Sequence, residues 1–428
     1  MSIRVASFSG EAEPEAKVNS TSKGLSLRQN FSWTFIGNVI YAATQWGVLV
    51  VVAKLGTPEM LGQYSFGLAV GSPVFMLTNL QLRGVQATDA RNDFSFVDYK
   101  SLRYAATALG ILVIIGVGVL SGFDKDTSLV VSFVGVAKAI ESLSDVYYGF
   151  AQRHERMDLI GRSLMAKGVL SLVTMTVLIY LTSSIVWASV GVACVWLLRY
   201  LAYDRRFTSI IHTKAITTNW DWSRSLSLAR LSLPLGLVMV LVSLTTNIPR
   251  YFIQYVLGER ALGFYSAIAY LVVAGTTVVS ALGQSARPRL ASLFAEGRTG
   301  DFLRLLGGLV AAAIGLGCGG ILVSLVGGKQ LLSIIYTPEY ASYYKLFTLF
   351  MIAGAIQYSA SFLGYGITAA RQFKIQLPLA ATVMLSALIL SYVLIHSYGL
   401  VGGVVAVALT SLINLVGSVG ITYKLFSK

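Results

Sequence analysis

Apolar runs of around twenty residues recur along the whole chain, divided by short polar segments. Runs of that length predict helices that cross a bilayer. Twelve fall at 31–53, 62–82, 104–121, 128–150, 163–181 and 185–203 in the first half, then 233–257, 264–285, 305–326, 343–365, 375–396 and 401–425. The strands of a β-barrel would alternate polar and apolar positions instead.

The run 128–150 departs from the pattern, because it carries Lys138, Glu141 and Asp145. Residues three and four apart share a helix face, so the three charges form one stripe. Tyr148 and Gln152 prolong it, whereas Val136, Ile140, Leu143 and Tyr147 lie away from it. Each charge at the centre of a span costs about 2.5–3.5 kcal/mol, so three cost roughly 8–10, against about 3–6 returned by the apolar residues. Such a helix must turn its stripe into a protein bundle or a wet cavity. Glu141 and Asp145 lie one turn apart and compete for charge, which makes them candidates for ion coupling. Lys138 offers a cation roughly 15 Å into the membrane at 1.5 Å per residue.

Composition agrees with a membrane protein: 55% hydrophobic, 12% charged, with a mean hydropathy of +0.70. Soluble domains average about 25% charged. The net charge of +14 would suit nucleic acid, but its distribution points elsewhere. With the N-terminus inside, 26 of the 33 lysines and arginines fall on the cytoplasmic side. Six (Lys54, Lys125, Arg250, Arg260, Lys329 and Lys345) fall outside, and Lys138 lies between. That asymmetry puts both termini in the cytoplasm, where the basic residues face anionic lipid headgroups and need no nucleic acid. Residues 1–30 lack an apolar core and read as a cytoplasmic tail, not a signal peptide. Cys194 and Cys318 sit in apolar runs, and His154, His212 and His396 match no metal-ligand spacing, so no disulfide, metal or cofactor is expected.

The chain repeats itself about the loop 204–230, whose end, 221–230, reads as an interfacial amphipathic helix. Leu55-Gly-Thr-Pro-Glu-Met-Leu-Gly-Gln-Tyr-Ser65 answers Leu257-Gly-Glu-Arg-Ala-Leu-Gly-Phe-Tyr-Ser266 with one residue deleted. A weaker echo links Gly149-Phe-Ala-Gln-Arg153 to Gly366-Ile-Thr-Ala-Ala-Arg371. Six spans per half keep the same orientation, so the repeats are parallel. The expected fold is an all-α integral membrane protein of 12 transmembrane helices, arranged as two parallel six-helix bundles around a central cleft. Its parts are the tail 1–30, a bundle at 31–203, the linker 204–230 and a bundle at 231–428. By the second echo Glu141 answers Tyr358 and Asp145 answers Phe362, so the ionisable stripe belongs to the first half alone. Polar residues elsewhere in the spans are Asn38, Tyr41 and Gln45 on one helix face and Arg250 behind Thr245, Thr246 and Asn247. Lys167, near the cytoplasmic face, is expected to snorkel.

Ser232-Leu-Pro-Leu-Gly236, Arg250-Tyr-Phe-Ile-Gln-Tyr-Val-Leu-Gly258 and Leu262-Gly-Phe-Tyr-Ser266 carry a resemblance, joined by the stretch Leu55 to Tyr64 and by Leu82-Arg-Gly-Val-Gln-Ala-Thr-Asp89. The chain resembles the polysaccharide-transporter branch, the Wzx-type flippases, of the superfamily that includes the MATE exporters. The resemblance implies alternating-access transfer of undecaprenyl-pyrophosphate-linked oligosaccharide repeat units across the bacterial inner membrane. It also implies work beside a polysaccharide polymerase and chain-length machinery. Family members often place an acidic residue before the arginine of span seven, where this chain has Pro249. Lys138, Arg250, Asn38 and Gln45 are the expected substrate contacts, with Glu141 and Asp145 coupling an ion. The alternative is a MATE-like drug or metabolite exporter, which would want a net acidic cavity for cationic cargo. A membrane enzyme would carry its chemistry on a sizeable loop, and no Gly-rich phosphate loop or paired-carboxylate motif stands there.

Overall fold

Capping residues set where several helices begin. Helix α1 (Leu27–Leu55) starts behind Ser26, whose hydroxyl accepts the Gln29 N–H at 3.3 Å while the Gln29 side chain accepts the Ser26 N–H at 3.1 Å. Both orphan donors of the first turn are thereby satisfied. Thr57 and Pro58 open α2 (Pro58–Asn79), a proline in the first turn costing nothing because its N–H would be unpaired anyway. Ser95 and Asp98 form a second reciprocal cap at the head of α4 (Phe96–Leu120), and Asp124 caps α5 (Lys125–Arg153).

The computed structural model describes residues 25–89, 93–211 and 221–426. Most of the expected tail 1–30 and, within the linker, the stretch 212–220 lie outside the described residues. After α2 the chain resumes in α3 (Leu82–Thr88), then α6 (Met157–Thr182) and α7 (Ile185–Ala202) follow α5. A 3₁₀ turn at Asp204–Arg206 leads into α8 (Phe207–Ile211). The second half holds α9 (Trp222–Ala295), α10 (Thr299–Ile335), α11 (Pro338–Ala341), α12 (Tyr344–Ala369) and α13 (Phe373–Phe426). Two of these are each two rods: α9 is broken at Gly258 (φ 82°) and α13 at Gly399 (φ 57°), backbone that glycine adopts at no steric cost. No strand occurs among the described residues.

Among the described residues nine helices are long and apolar enough to cross a membrane. Helix α5 is not one of them, since it carries the charged stripe. It packs instead against α2, α3, α4, α6, α7 and α8. Val130, Val131, Val134, Ile140, Tyr147 and Phe150 are buried in these contacts. Helix α1 lies mainly on α6, and α2 packs more extensively on α9 than any other pair of elements.

One local expectation is corrected. The span 62–82 is not continuous, because Leu80 (φ 49°) and Gln81 (φ 52°) adopt the left-handed region between α2 and α3. Residues 222–230, expected as a helix leading into span seven, form the first turns of α9 behind the cap Asp221. There Arg224 donates to the Asp93 carbonyl at 2.9 Å and approaches Asp98 at 3.4 Å, tying α9 to the head of α4.

Candidate functional site: a charged cavity in the first half

The stripe of α5 faces a cavity of about 570 Å³ walled by α1, α2, α3, α5 and α6 and the turn between α2 and α3. Asn38, Tyr41, Asn79, Gln81, Arg83, Lys138, Glu141, Asp145, Tyr148 and Gln152 line it. The left-handed turn at Leu80 and Gln81 brings Asn79, Gln81 and Arg83 to one wall. Non-glycine residues in that region are strained and concentrate at functional sites.

Glu141 and Asp145 do not share a field; each has its own cations. Lys138 Nζ meets Glu141 Oε2 at 2.9 Å, and Tyr41 Oη donates to Glu141 Oε1 at 2.7 Å. Asp145 holds two guanidinium groups. Arg103, fully buried, donates from Nη2 at 3.1 Å and from Nη1 to Asn79. Arg83, one-third exposed, approaches at 3.5 Å and donates from Nε to Gln152 at 3.0 Å. Its guanidinium also lies 5.6 Å from the Tyr148 ring centre.

Lys167 does not snorkel. It is fully buried, with Nζ 5.0 Å from the Trp196 ring centre and 5.4 Å from that of Tyr148, and among the described residues Nζ has no hydrogen-bond partner. The short reach from helix end to side chain suggests the interface, but Trp196 of α7 and Asp204 of the 3₁₀ turn lie over it. Asp204 sits in the same layer, accepting from Ser163 at 2.6 Å and from Tyr148 at 3.5 Å. In the wall and directly behind it, Arg83, Arg103, Lys138 and Lys167 face Glu141, Asp145 and Asp204, four cations against three carboxylates. A buried ion pair costs desolvation that attraction only partly returns, so this arrangement is poor evidence of mere stabilisation.

The cavity thus gathers Asn38, Lys138, Glu141 and Asp145 from the expected site. Asn38 donates to the Thr34 carbonyl at 2.7 Å. Gln45 faces a smaller void next to Lys138, lined also by Tyr64, Ser189 and Trp196, and among the described residues its buried Nε2 has no partner. Arg250 is not in the cavity wall. It donates to Asn247 Oδ1 at 2.7 Å and lies 5.9 Å from the Tyr270 ring centre. In the second half the equivalents of the stripe are packed shut. Tyr358 Oη donates to the Val272 carbonyl at 2.7 Å, and Phe362 is buried.

Sequence reasoning missed Arg83, Arg103 and Asn79. Arg103 falls just before the apolar run 104–121 and so reads as a loop cation, yet Ser95 and Asp98 spell a cap that starts the helix at Phe96 and puts Arg103 two turns inside it. No such signal precedes Arg83, because the turn that presents it contains no glycine.

A bundle of long apolar helices around a charged, walled cavity is the architecture of a multi-pass membrane protein of the transporter type. The same fold is seen in an inward-facing multidrug-resistance MATE family transporter of the MOP superfamily, with a TM-score of 0.76 at 12% identity over 92% of this chain and 99% of that one. It is seen too in the lipid II flippase MurJ in its inward closed conformation, with a TM-score of 0.69 at 12% identity over 92% of this chain and 87% of MurJ. Residues 27–294 match the family model described as polysaccharide biosynthesis protein, and the chain belongs to that family. It is also 27% identical to the capsular polysaccharide biosynthesis protein CapF of Staphylococcus aureus over 91% of this chain and 97% of CapF. The resemblance read from the motifs therefore holds.

Proposed function

We propose that this protein is a flippase that moves undecaprenyl-pyrophosphate-linked oligosaccharide units across the bacterial inner membrane by alternating access. The observation that carries the reading is that two cations, Arg83 and Lys138, stand beside Glu141 and Asp145 on the lining of a cavity within apolar helices, with Arg103 and Lys167 buried behind them and Asp204 in the layer of Lys167. A pyrophosphate brings negative charge that such a wall stabilises in a poorly solvated site. A cationic drug would find no net negative charge on that lining, which counts against the exporter alternative. The sugar's hydroxyls suit Asn38, Asn79, Gln81 and Gln152, while the prenyl tail needs only lipid. Membership of a polysaccharide biosynthesis family supports the same reading.

In this proposal the rods of α9 and α13 each count as two spans, giving twelve with α5 included, as two parallel bundles with both termini cytoplasmic. Lys138 and Asn38 contact the cargo in the cavity, Gln45 and Arg250, which lie outside its wall, meet it as the halves rock, and Glu141 and Asp145 carry the coupling ion. A polymerase and chain-length machinery consume the product. Deleting the gene and identifying the lipid-linked glycan that accumulates on the inner leaflet tests the reading. No accumulated glycan, with surface polysaccharide unchanged, would refute it.

A further inference from the structure

Asp145 is the one carboxylate of the cavity wall held by two arginines, and the two hold it differently. Arg103 is sealed from solvent, 3.1 Å from Oδ2, with Asn79 taking a second of its donors. A desolvated guanidinium depends on that partner, since a buried charge without one is strongly unfavourable. Arg83 stands on the open side, 3.5 Å from Oδ1, one-third exposed, and lines the cavity. Among the described residues its Nη2 makes no hydrogen bond. Asp145 is therefore already neutralised from behind, and the charge of Arg83 is surplus at the cavity surface. Lys138 is placed otherwise, committed at 2.9 Å to Glu141.

We infer that Arg83 is the principal phosphate-binding residue of the cavity, that a phosphate competes with Asp145 for it, and that Arg103 is the positioning residue that makes this exchange possible. The inference rests on the flippase reading for its cargo, and the ligand chemistry is a pyrophosphate ester. A guanidinium presents paired donors that match two phosphate oxygens, as an ammonium does not. Gln152, on Nε, and the Tyr148 ring fix the orientation of the fork while leaving Nη2 to the ligand. When phosphate arrives, Arg83 leaves Asp145, and Asp145 stays paired with Arg103. No carboxylate is stranded.

The test is binding of undecaprenyl pyrophosphate to the full-length protein in lipid nanodiscs, with soluble inorganic pyrophosphate as competitor. Arg83→Gln should weaken binding roughly 10- to 100-fold, the value of a hydrogen bond to a charged group. Arg83→Lys should recover only part. Asp145→Asn, which still offers Arg103 an acceptor but frees Arg83, should bind more tightly than the wild type, and this gain should vanish in Arg83→Gln/Asp145→Asn. A merely structural role for the cluster would make Asp145→Asn bind more weakly. Arg304→Gln, on an exposed arginine, is the control with unchanged affinity. Displacement by inorganic pyrophosphate points to the headgroup as the ligand; displacement only by undecaprenol would place recognition in the tail and overturn the inference. Wild-type protein that binds no pyrophosphate lipid would refute the flippase reading itself. Wild-type binding that Arg83→Gln leaves unchanged would refute the role of Arg83 and leave that reading standing.

Discussion

Gly62 and Gly263 stand at the same position of the chain's internal repeat, and each lies against the backbone of the other repeat. A methyl group on Gly62 would overlap the Glu259 carbonyl, and one on Gly263 would overlap the Pro58 carbonyl. Pro58 and Glu259 are themselves equivalent in the repeat, so the two contacts mirror one another. Glu59 and Arg260, also equivalent, face each other as an ion pair at 2.6 Å, and Arg260 reaches Glu339 as well. The repeat crosses itself, and the two halves of the chain meet there through α2 and α9.

The obstacle at both glycines is backbone, which cannot swing aside as a side chain can. Gly62→Ala and Gly263→Ala should therefore each destabilise the protein by about 1–3 kcal/mol, the usual cost of overpacking. Gly364→Ala, where an added methyl meets nothing within 4 Å, should cost nothing comparable. Thermal unfolding of the three variants in detergent checks this, and equal stability of all three would remove the crossing from the account.

The ion pair at the crossing is open to solvent, which screens it, so Arg260→Ala should leave stability almost unchanged. Its importance is mechanical if the halves part there during transport. A Glu59→Cys/Arg260→Cys variant joined by a short crosslinker should then stop transport, and reduction of a cleavable linker should restore it. Undiminished transport by the crosslinked protein would mean the crossing never opens.

How much of this was legible follows from what leaves a pattern in sequence. The stripe of Lys138, Glu141 and Asp145 was visible because three charges break an apolar run, and its enclosure by other helices followed from their insertion cost. The repeat was visible as similar strings, though not that they touch. Arg83 and Arg103 were hidden among loop cations, since positive residues near span ends ordinarily report topology. The turn at Leu80 and Gln81 uses two residues that favour no such conformation, so only tertiary packing specifies it. Lys167 misled because distance along a helix says nothing about what covers its end.

Lys138 tests the charge requirement at membrane depth. Lys138→Ala should abolish flipping while expression and insertion stay intact, because removing a charge eases insertion. Glu141 would keep Tyr41 as a donor. Lys138→Arg should retain part of the activity, with the charge present and its geometry altered. Transport assays at matched protein levels separate these outcomes, and full activity in Lys138→Ala would return the residue to a structural part.

Ion coupling through Asp145 predicts that Asp145→Asn loses the wild-type dependence of transport on pH, since the amide cannot carry a proton. Transport measured across a pH series in proteoliposomes decides it. A variant with the wild-type profile would move the coupling role elsewhere, with Glu141 the remaining carboxylate of the cavity wall.

The central claim is that this chain carries a lipid-linked pyrophosphate across a bilayer through the cavity of its first half. Purified protein reconstituted in liposomes, with undecaprenyl-pyrophosphate oligosaccharide placed in one leaflet, measures that transfer directly. The account predicts that the lipid appears in the opposite leaflet with wild-type protein and does not with Arg83→Gln. Wild-type protein that leaves the lipid where it was placed, under an imposed proton gradient of either direction, would contradict it.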